Sequence, residues 1–262
     1  MVELVVLAKV TQDVQAVKID PETNEPILRG VPLKVSDFDL NAMEEALRIK
    51  AKLGGRVRLL TAGGPEARDQ MRRLIAMGAD EAILVTDPAV ATMDYCSISK
   101  LLAAAVRKLG KFDLILCGEA SIDLYSGQMG PRVAGALGIP SVSYVKKLTA
   151  EKEGVVVERE MGDELEELRL PYPALVTVGK ELNEPRLPPM MQLIAAARKP
   201  IAEWKAGDLG LSQEELAPAV RTESLRGVVM KRKNVIFSGE PAEAAKSLVA
   251  ALKKEGIIGG GA

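Results

Sequence analysis

Short apolar runs alternate with helix-patterned segments of about 10 to 15 residues through the first half of the chain, and no other feature narrows its possible folds as much. Residues 3–10, 56–61, 82–86 and 113–117 read as buried strands. Between the first two, residues 38–53 place Phe38, Ala42, Met43, Ala46, Leu47 and Ile49 at a helical period, with Ser36 or Asp37 positioned to cap the start. A second helix follows Ala62-Gly63-Gly64-Pro65 and stops at Gly78. A third covers 97–109 and ends at Gly110, and a fourth covers 127–137 and ends at Gly138. Residues 16–29 make a hairpin excursion around Pro21-Glu22-Thr23-Asn24. This alternation predicts an α/β fold with a mostly parallel sheet covered on both faces.

The pattern changes after Pro140. Residues 141–148, 155–159, 165–170 and 174–178 read as consecutive strands with short turns, an antiparallel extension of the sheet rather than a separate domain. From Asn183 onward the chain is rich in Pro and Met, and 183–240 lacks a core pattern of its own. A helix over 241–254 and a Gly-rich tail over 259–262 close the chain. The expected division is a nucleotide-binding α/β domain with its extension over 1–182, and an arm over 183–262 that packs on something else. With aromatics at 3% and apolar residues at 47%, the core must be built from Val, Leu, Ile, Ala and Met.

Several function classes drop out. Formal net charge is −1, from 35 basic and 36 acidic residues, which argues against nucleic acid as a partner. The basic run Lys231-Arg232-Lys233 reads as a surface loop. Cys96 and Cys117 follow no disulfide or zinc spacing, and a reducing compartment is the simpler reading. The first seven residues read directly as a strand with no signal-peptide pattern, and no apolar run approaches the roughly 20 residues of a membrane span. The expectation is a cytoplasmic protein, not integral to a membrane, whose only membrane association would come through partners. The chain contains 0 histidines, which removes Ser-His-Asp and Cys-His catalysis and most transition-metal sites. No catalytic side chain and no metal ligand set is nominated; any chemistry falls to a cofactor.

Ligands of open parallel sheets sit beyond the carboxyl ends of the strands. Three such ends carry candidates: Leu7-Ala8-Lys9; Thr61-Ala62-Gly63-Gly64; and the stretch from Cys117 and Gly118 to Asp123, continued by Ser126, Gly127, Gln128, Met129 and Gly130 at a helix start. Free N–H groups there suit a nucleotide phosphate, with Ser126 and Gln128 as side-chain donors. The same residues also make ordinary Gly-containing connections, and neither GxGxxG nor a Walker sequence is present. Asp123 suits either a ribose hydroxyl or a turn cap. Glu164, Glu166 and Glu167 interleave with Leu165 and Leu168 as a solvated strand face. Pro188, Pro189, Met190 and Met191 suit either an adaptable contact surface or burial against the chain's own body.

Taken together, these residues resemble the electron transfer flavoprotein β (small) subunits. The similarity runs through Asn41-Ala42-Met43-Glu44-Glu45-Ala46-Leu47, Ala76-Met77-Gly78-Ala79-Asp80, Ile122-Asp123 with Gln128, Leu182-Asn183-Glu184-Pro185-Arg186, Ala197-Arg198-Lys199-Pro200-Ile201 and Gly207-Asp208-Leu209-Gly210. It covers nearly the whole chain. The resemblance implies a three-layer α/β/α sandwich, an α-subunit partner, and a nucleotide on the loop over 118–130. That nucleotide is AMP in the ordinary carriers and FAD in the electron-bifurcating members, where NADH supplies a hydride. The two electrons then go to different acceptors, one through the α-subunit FAD to a quinone-type acceptor and one to a low-potential acceptor. The cofactor set implied is Leu7, Lys9, Ser36, Ala62, Gly63, Gly118, Asp123, Ser126, Gly127, Gln128, Met129 and Gly130. The segment with Pro185, Leu187, Pro188, Met190, Met191 and Leu193 matches the family's recognition loop for acyl-CoA-type dehydrogenase or quinone oxidoreductase partners. Gly127 and Met129 replace the amide and hydroxyl side chains of the ordinary carriers, and Ser36 replaces their Asn. These departures resemble the bifurcating branch and favour FAD over AMP.

Overall fold

Val2, Leu4 and Val6 of the first strand, β1 (Val2–Leu7), enter one hydrophobic core while Val5 and Leu7 enter another, so the strand is buried on both faces. The computed structural model describes residues 1–228 and 232–259. Lys231 of the basic run and Gly260, Gly261 and Ala262 of the tail lie outside the described residues. After β1 come β2 (Val10–Gln12), β3 (Lys18–Ile19), β4 (Pro26–Ile27), β5 (Leu33–Val35), α1 (Asp37–Leu53), β6 (Gly55–Ala62), α2 (Ala67–Met77) and β7 (Glu81–Val85). Next are α3 (Tyr95–Leu109), β8 (Leu114–Gly118), α4 (Met129–Leu137), β9 (Ser141–Ala150), β10 (Gly154–Met161), β11 (Glu164–Pro171) and β12 (Ala174–Val178). The chain continues through α5 (Met190–Ala197), β13 (Ala202–Trp204) and α6 (Pro241–Lys254).

The main sheet has 9 strands in the order β11-β10-β9-β12-β8-β1-β6-β7-β13. Every pair from β9 to β13 is parallel, and β9, β10 and β11 pair antiparallel. Helices α1 and α2 cover one face and α3 and α4 the other, giving the expected α/β/α sandwich. The sheet grows from β1 in two directions, through β6 and β7 on one side and β8 on the other. That reversal makes the carboxyl ends of β1 and β8 a topological switch point, the crevice at which α/β sheets bind ligands.

Four local expectations are corrected. The strand expected over 3–10 divides, because the backbone leaves the sheet at Ala8 and Lys9 and re-forms as β2 against β5. Helix α4 begins at Met129, since Gly127 has φ +64° and cannot join it. Helix α3 begins earlier than expected, at Tyr95, because Asp94 Oδ1 accepts from Ser97 N at 2.9 Å. Strand β12 belongs not to the antiparallel extension but to the interior of the parallel sheet, between β8 and β9. Its five residues are all buried, so both faces need cover, whereas β11 alternates acids with apolar residues and takes the edge.

The hairpin over 16–29 forms as β3 and β4. Strand β13, which has no strand signal in the sequence, joins β7 at the opposite edge, with Lys108 Nζ 4.6 Å above the Trp204 ring. Among the described residues no helix is long and apolar enough to cross a membrane.

Candidate functional site

One carboxylate ties the two sides of the crevice together. Asp39, in the first turn of α1, accepts from Lys9 N at 2.8 Å and from Gly118 N at 2.7 Å, one bond per oxygen. An acid at this helix end also suits the dipole. Burial pushes the Asp39 carboxyl up to about 7, against the pull of both N–H groups and the Lys9 ammonium. Gly118 permits the close approach: a Cβ there would stand 2.5 Å from Phe38 Cβ and 2.8 Å from Asp39 Oδ1.

Lys9 reaches across the crevice. Its Nζ lies 2.6 Å from Asp123 Oδ2, which also accepts from Thr11 Oγ1 at 3.0 Å. Burial acts to raise the Asp123 carboxyl, but hydrogen bonds from Lys9, Ser121 and Thr11 outweigh it and hold the group below its ordinary value. Asp123 is therefore an ionised acceptor, and its Oδ1 is buried with no partner among the described residues. Ser36 Oγ and Thr61 Oγ1 share that condition, on residues 0% exposed. Each unpartnered buried group costs about 1–3 kcal/mol. Three of them at the carboxyl end of one sheet fit a ligand carrying hydroxyls and phosphate.

Ser36 holds the expected N-cap position, yet its hydroxyl makes no cap bond; its backbone oxygen takes Asp39 N and Leu40 N instead. Its own N–H donates to Lys9 O at 2.9 Å, which brings the residue to the crevice. Leu7 is buried at 3% exposure and offers only backbone. Ala62 and Gly63 close β6, the strand next to β1, with Gly63 N bonded to Val85 O at 3.1 Å. On the other side, Ser126, Gly127 and Gln128 lead into Met129 and Gly130 at the head of α4. Gln128 Oε1 accepts from Arg132 Nε at 2.9 Å, which leaves the side-chain amide as a donor. Pro131 has no N–H, so the first amides of α4 are those of Met129 and Gly130.

The remaining sequence candidates do not reach the crevice. Pro185, Leu187, Pro188, Met190, Met191 and Leu193 lie with α5, beside α1 and α2. Leu187, Met190 and Met191 are 79%, 70% and 75% exposed, and the arm buries Ala196 rather than its methionines. Glu164, Glu166 and Glu167 sit on edge strand β11. Among the described residues no cluster of His, Cys, Asp or Glu could hold a metal. Sequence reasoning missed Asp39 and Thr11. An acid in a first helical turn has a sufficient local explanation in the dipole, so nothing along the chain marked Asp39 as a clamp.

Residues 27–209 match the family model described as the electron transfer flavoprotein domain. The electron transfer flavoprotein subunit beta of Thermoanaerobacterium thermosaccharolyticum is 36% identical over 259 residues, covering 97% of this chain and 99% of the relative. That of Bacillus subtilis is 36% identical over 256 residues, with the same two coverages. The caffeyl-CoA reductase-Etf complex subunit CarD of Acetobacterium woodii is 38% identical over 260 residues, again covering 97% and 99%. The chain belongs to the electron transfer flavoprotein β-subunit family. Membership carries a role in electron transfer, association with flavin or nucleotide, and an electron transfer flavoprotein α subunit as partner.

In this β-subunit chain the exposed arm leaves the body through a polar tether. Arg186 Nε and Nη2 donate to the two oxygens of Glu44 at 2.7 and 2.9 Å, and Asn41 Nδ2 donates to Asn183 O at 2.6 Å. Burial acts to raise the Glu44 carboxyl, but the Arg186 and Arg48 bonds hold it below its ordinary value. Stability from a carboxylate so lowered is present above its ordinary range and lost as pH falls through the lowered value. Protection factors over 184–197, taken relative to the slower intrinsic exchange in acid, should therefore fall as pH drops, while those of β1 and β8 hold. At neutral pH, Glu44→Gln should accelerate exchange there about tenfold, the full 3–5 kcal/mol of a broken buried pair being reduced by the half-exposed Arg186. Unchanged protection over 184–197 in Glu44→Gln would show that the tether does not hold the arm.

Proposed function

We propose that this chain is the β subunit of an electron-bifurcating electron transfer flavoprotein, holding FAD in the crevice between β1 and β8 and receiving electrons from NADH. The observation that carries the reading is the head of α4. Gly127, left-handed at φ +64°, and Met129 carry no side-chain donor for a terminal monophosphate. A diphosphate held chiefly by backbone amides and continuing outward suits that donor set better. The identity with a subunit of a caffeyl-CoA reductase-Etf complex supports the same direction.

FAD bound there supplies two-electron acceptance and one-electron release. The chain's own residues position it. Asp123 Oδ1 accepts from ribose or ribityl hydroxyls, the Ser36 hydroxyl donates to or accepts from them, and the amides of Met129 and Gly130 face phosphate. Lys9 is held at the crevice by Asp123 as a positive charge. Ala62 and Gly63 allow backbone approach from β6. Since β13, Ala206 and Leu216 belong to the chain's own body, the arm that packs on the α subunit is the part beyond Leu216, and the exposed Met190 and Met191 of α5 present the surface for dehydrogenase or quinone oxidoreductase partners. Cys96 and Cys117 are free thiols, which suits a reducing cytoplasm.

The test is the nucleotide content of the co-expressed αβ complex after acid extraction and chromatography. Two FAD and no AMP per heterodimer is the expected result. One FAD with one AMP would make the chain the structural and docking subunit of a simple carrier.

A further inference from the structure

Tyr144 stands at an irregularity that a plain strand would not contain. Strand β9 pairs Val142 with Val176 and Val145 with Val178, so one extra residue of β9 bulges opposite β12. Tyr144 in that bulge has φ +63°, a left-handed conformation costly for a bulky side chain. Its N–H turns to Thr177 Oγ1 at 3.2 Å. Bulges of this kind re-aim a side chain beside functional sites.

The side chain is aimed at the loop that precedes α4. A Cβ built on Gly127 would stand 3.0 Å from Tyr144 Oη, so the hydroxyl lies against the loop backbone where glycine leaves room for it. Tyr125, the other exposed left-handed tyrosine of the region, is committed elsewhere. Its hydroxyl donates to Glu119 Oε1 at 2.8 Å, and its ring meets Phe38 edge-on at 5.6 Å. Gly127 and Met129 contribute no side-chain donor, so the side-chain donors of the loop are Ser126 and the Gln128 amide, whose oxygen is engaged by Arg132. Tyr144 brings a further donor to this loop from a different strand, beside Gly127.

We propose that Tyr144 is a positioning residue for the nucleotide's phosphate: its hydroxyl donates to a phosphoryl oxygen held by the amides at the head of α4. The inference rests on the nucleotide site proposed above, but it applies to a monophosphate as well as a diphosphate. A neutral hydroxyl donating to an anionic oxygen is a charge-assisted bond, and its removal should weaken binding about tenfold to a hundredfold.

The test uses the αβ complex stripped of its β-subunit nucleotide and titrated calorimetrically with FAD, AMP and adenosine. Tyr144→Phe removes only the hydroxyl and keeps the ring. It should weaken FAD and AMP at least tenfold and leave adenosine, which has no phosphate, unchanged. Wild-type affinity for FAD and AMP in Tyr144→Phe would overturn the role of the hydroxyl. Equal weakening of adenosine would overturn it too, because the ring's packing would then be the cause. If the wild-type complex bound none of the three in this subunit, the nucleotide site itself would fail. If it bound AMP but not FAD, the flavin reading alone would fail, and Tyr144→Phe would still decide the present proposal with AMP.

Discussion

Asp39→Ala should lower the unfolding free energy of the chain by about 2–6 kcal/mol, since it strands two buried backbone N–H groups at about 1–3 kcal/mol each. Those groups, Lys9 N and Gly118 N, belong to the two loops that flank the crevice, and Asp39 is their shared acceptor. The loss should appear as a lower denaturant midpoint and as faster amide exchange at Lys9 and Gly118. Asp39→Asn keeps the shape but turns an NH2 toward one of the two donors, so its loss should be about half as large. The pH dependence has a definite sign. Because burial raises the Asp39 carboxyl to about 7, the folded chain holds a proton that the unfolded chain releases near pH 4. Its contribution is fully present below the unfolded value and is lost as pH rises through about 7. Relative to Asp39→Asn, the wild type should lose stability between about pH 4 and 7. A wild type that gains stability over this interval would mean that the two N–H donors, not burial, govern the carboxyl.

Gly130→Val should cost about 3 kcal/mol or more and release the nucleotide, the upper end of what overpacking a well-filled core produces. Gly130 packs the head of α4 against the sheet, ahead of buried Val133 and Ala134. A Cβ there would stand 2.3 Å from Thr177 Cγ2 and 3.2 Å from both Cys117 Sγ and Leu175 Cδ2, all on buried strand residues. Since β8 and β12 are held on both sides, the head of α4 must give, carrying the amides of Met129 and Gly130 off the crevice. Thr177 also takes the N–H of Tyr144, so the same push disturbs the phosphate donor proposed above. Gly130→Ala should be milder, because about 1 kcal/mol of helix propensity offsets part of the overlap. Thermal melting and the nucleotide retained through gel filtration measure both effects. A Val variant that melts with the wild type and keeps its nucleotide would show that α4 slides on the sheet without penalty.

Most of what depends on neighbours along the chain was legible in the residues, although the Asp94 cap that starts α3 and the later start of α4 at Met129 were not. The alternation of strand and helix, the stop of α2 at Gly78 and the hairpin of β3 and β4 depend on periodicity and turn chemistry within a few positions, whereas the exposure of Met190 and Met191 was left open. The resemblance to one family was legible too, since its motifs are short and ordered. Tertiary structure decided the rest. Lys9 meets Asp123 only because β1 and β8 become neighbours when the sheet reverses direction. β12 enters the parallel sheet because its five buried residues need cover on both faces. β13 completes an edge through backbone pairing with β7, which its exposed side chains do not advertise. Asp39, as a clamp, and Tyr144, as a donor aimed by a bulge, act through partners far away in sequence. Local pattern fixes the conformation of a segment, whereas the choice of its neighbours depends on which buried surfaces and unpaired N–H groups remain once the whole sheet has assembled.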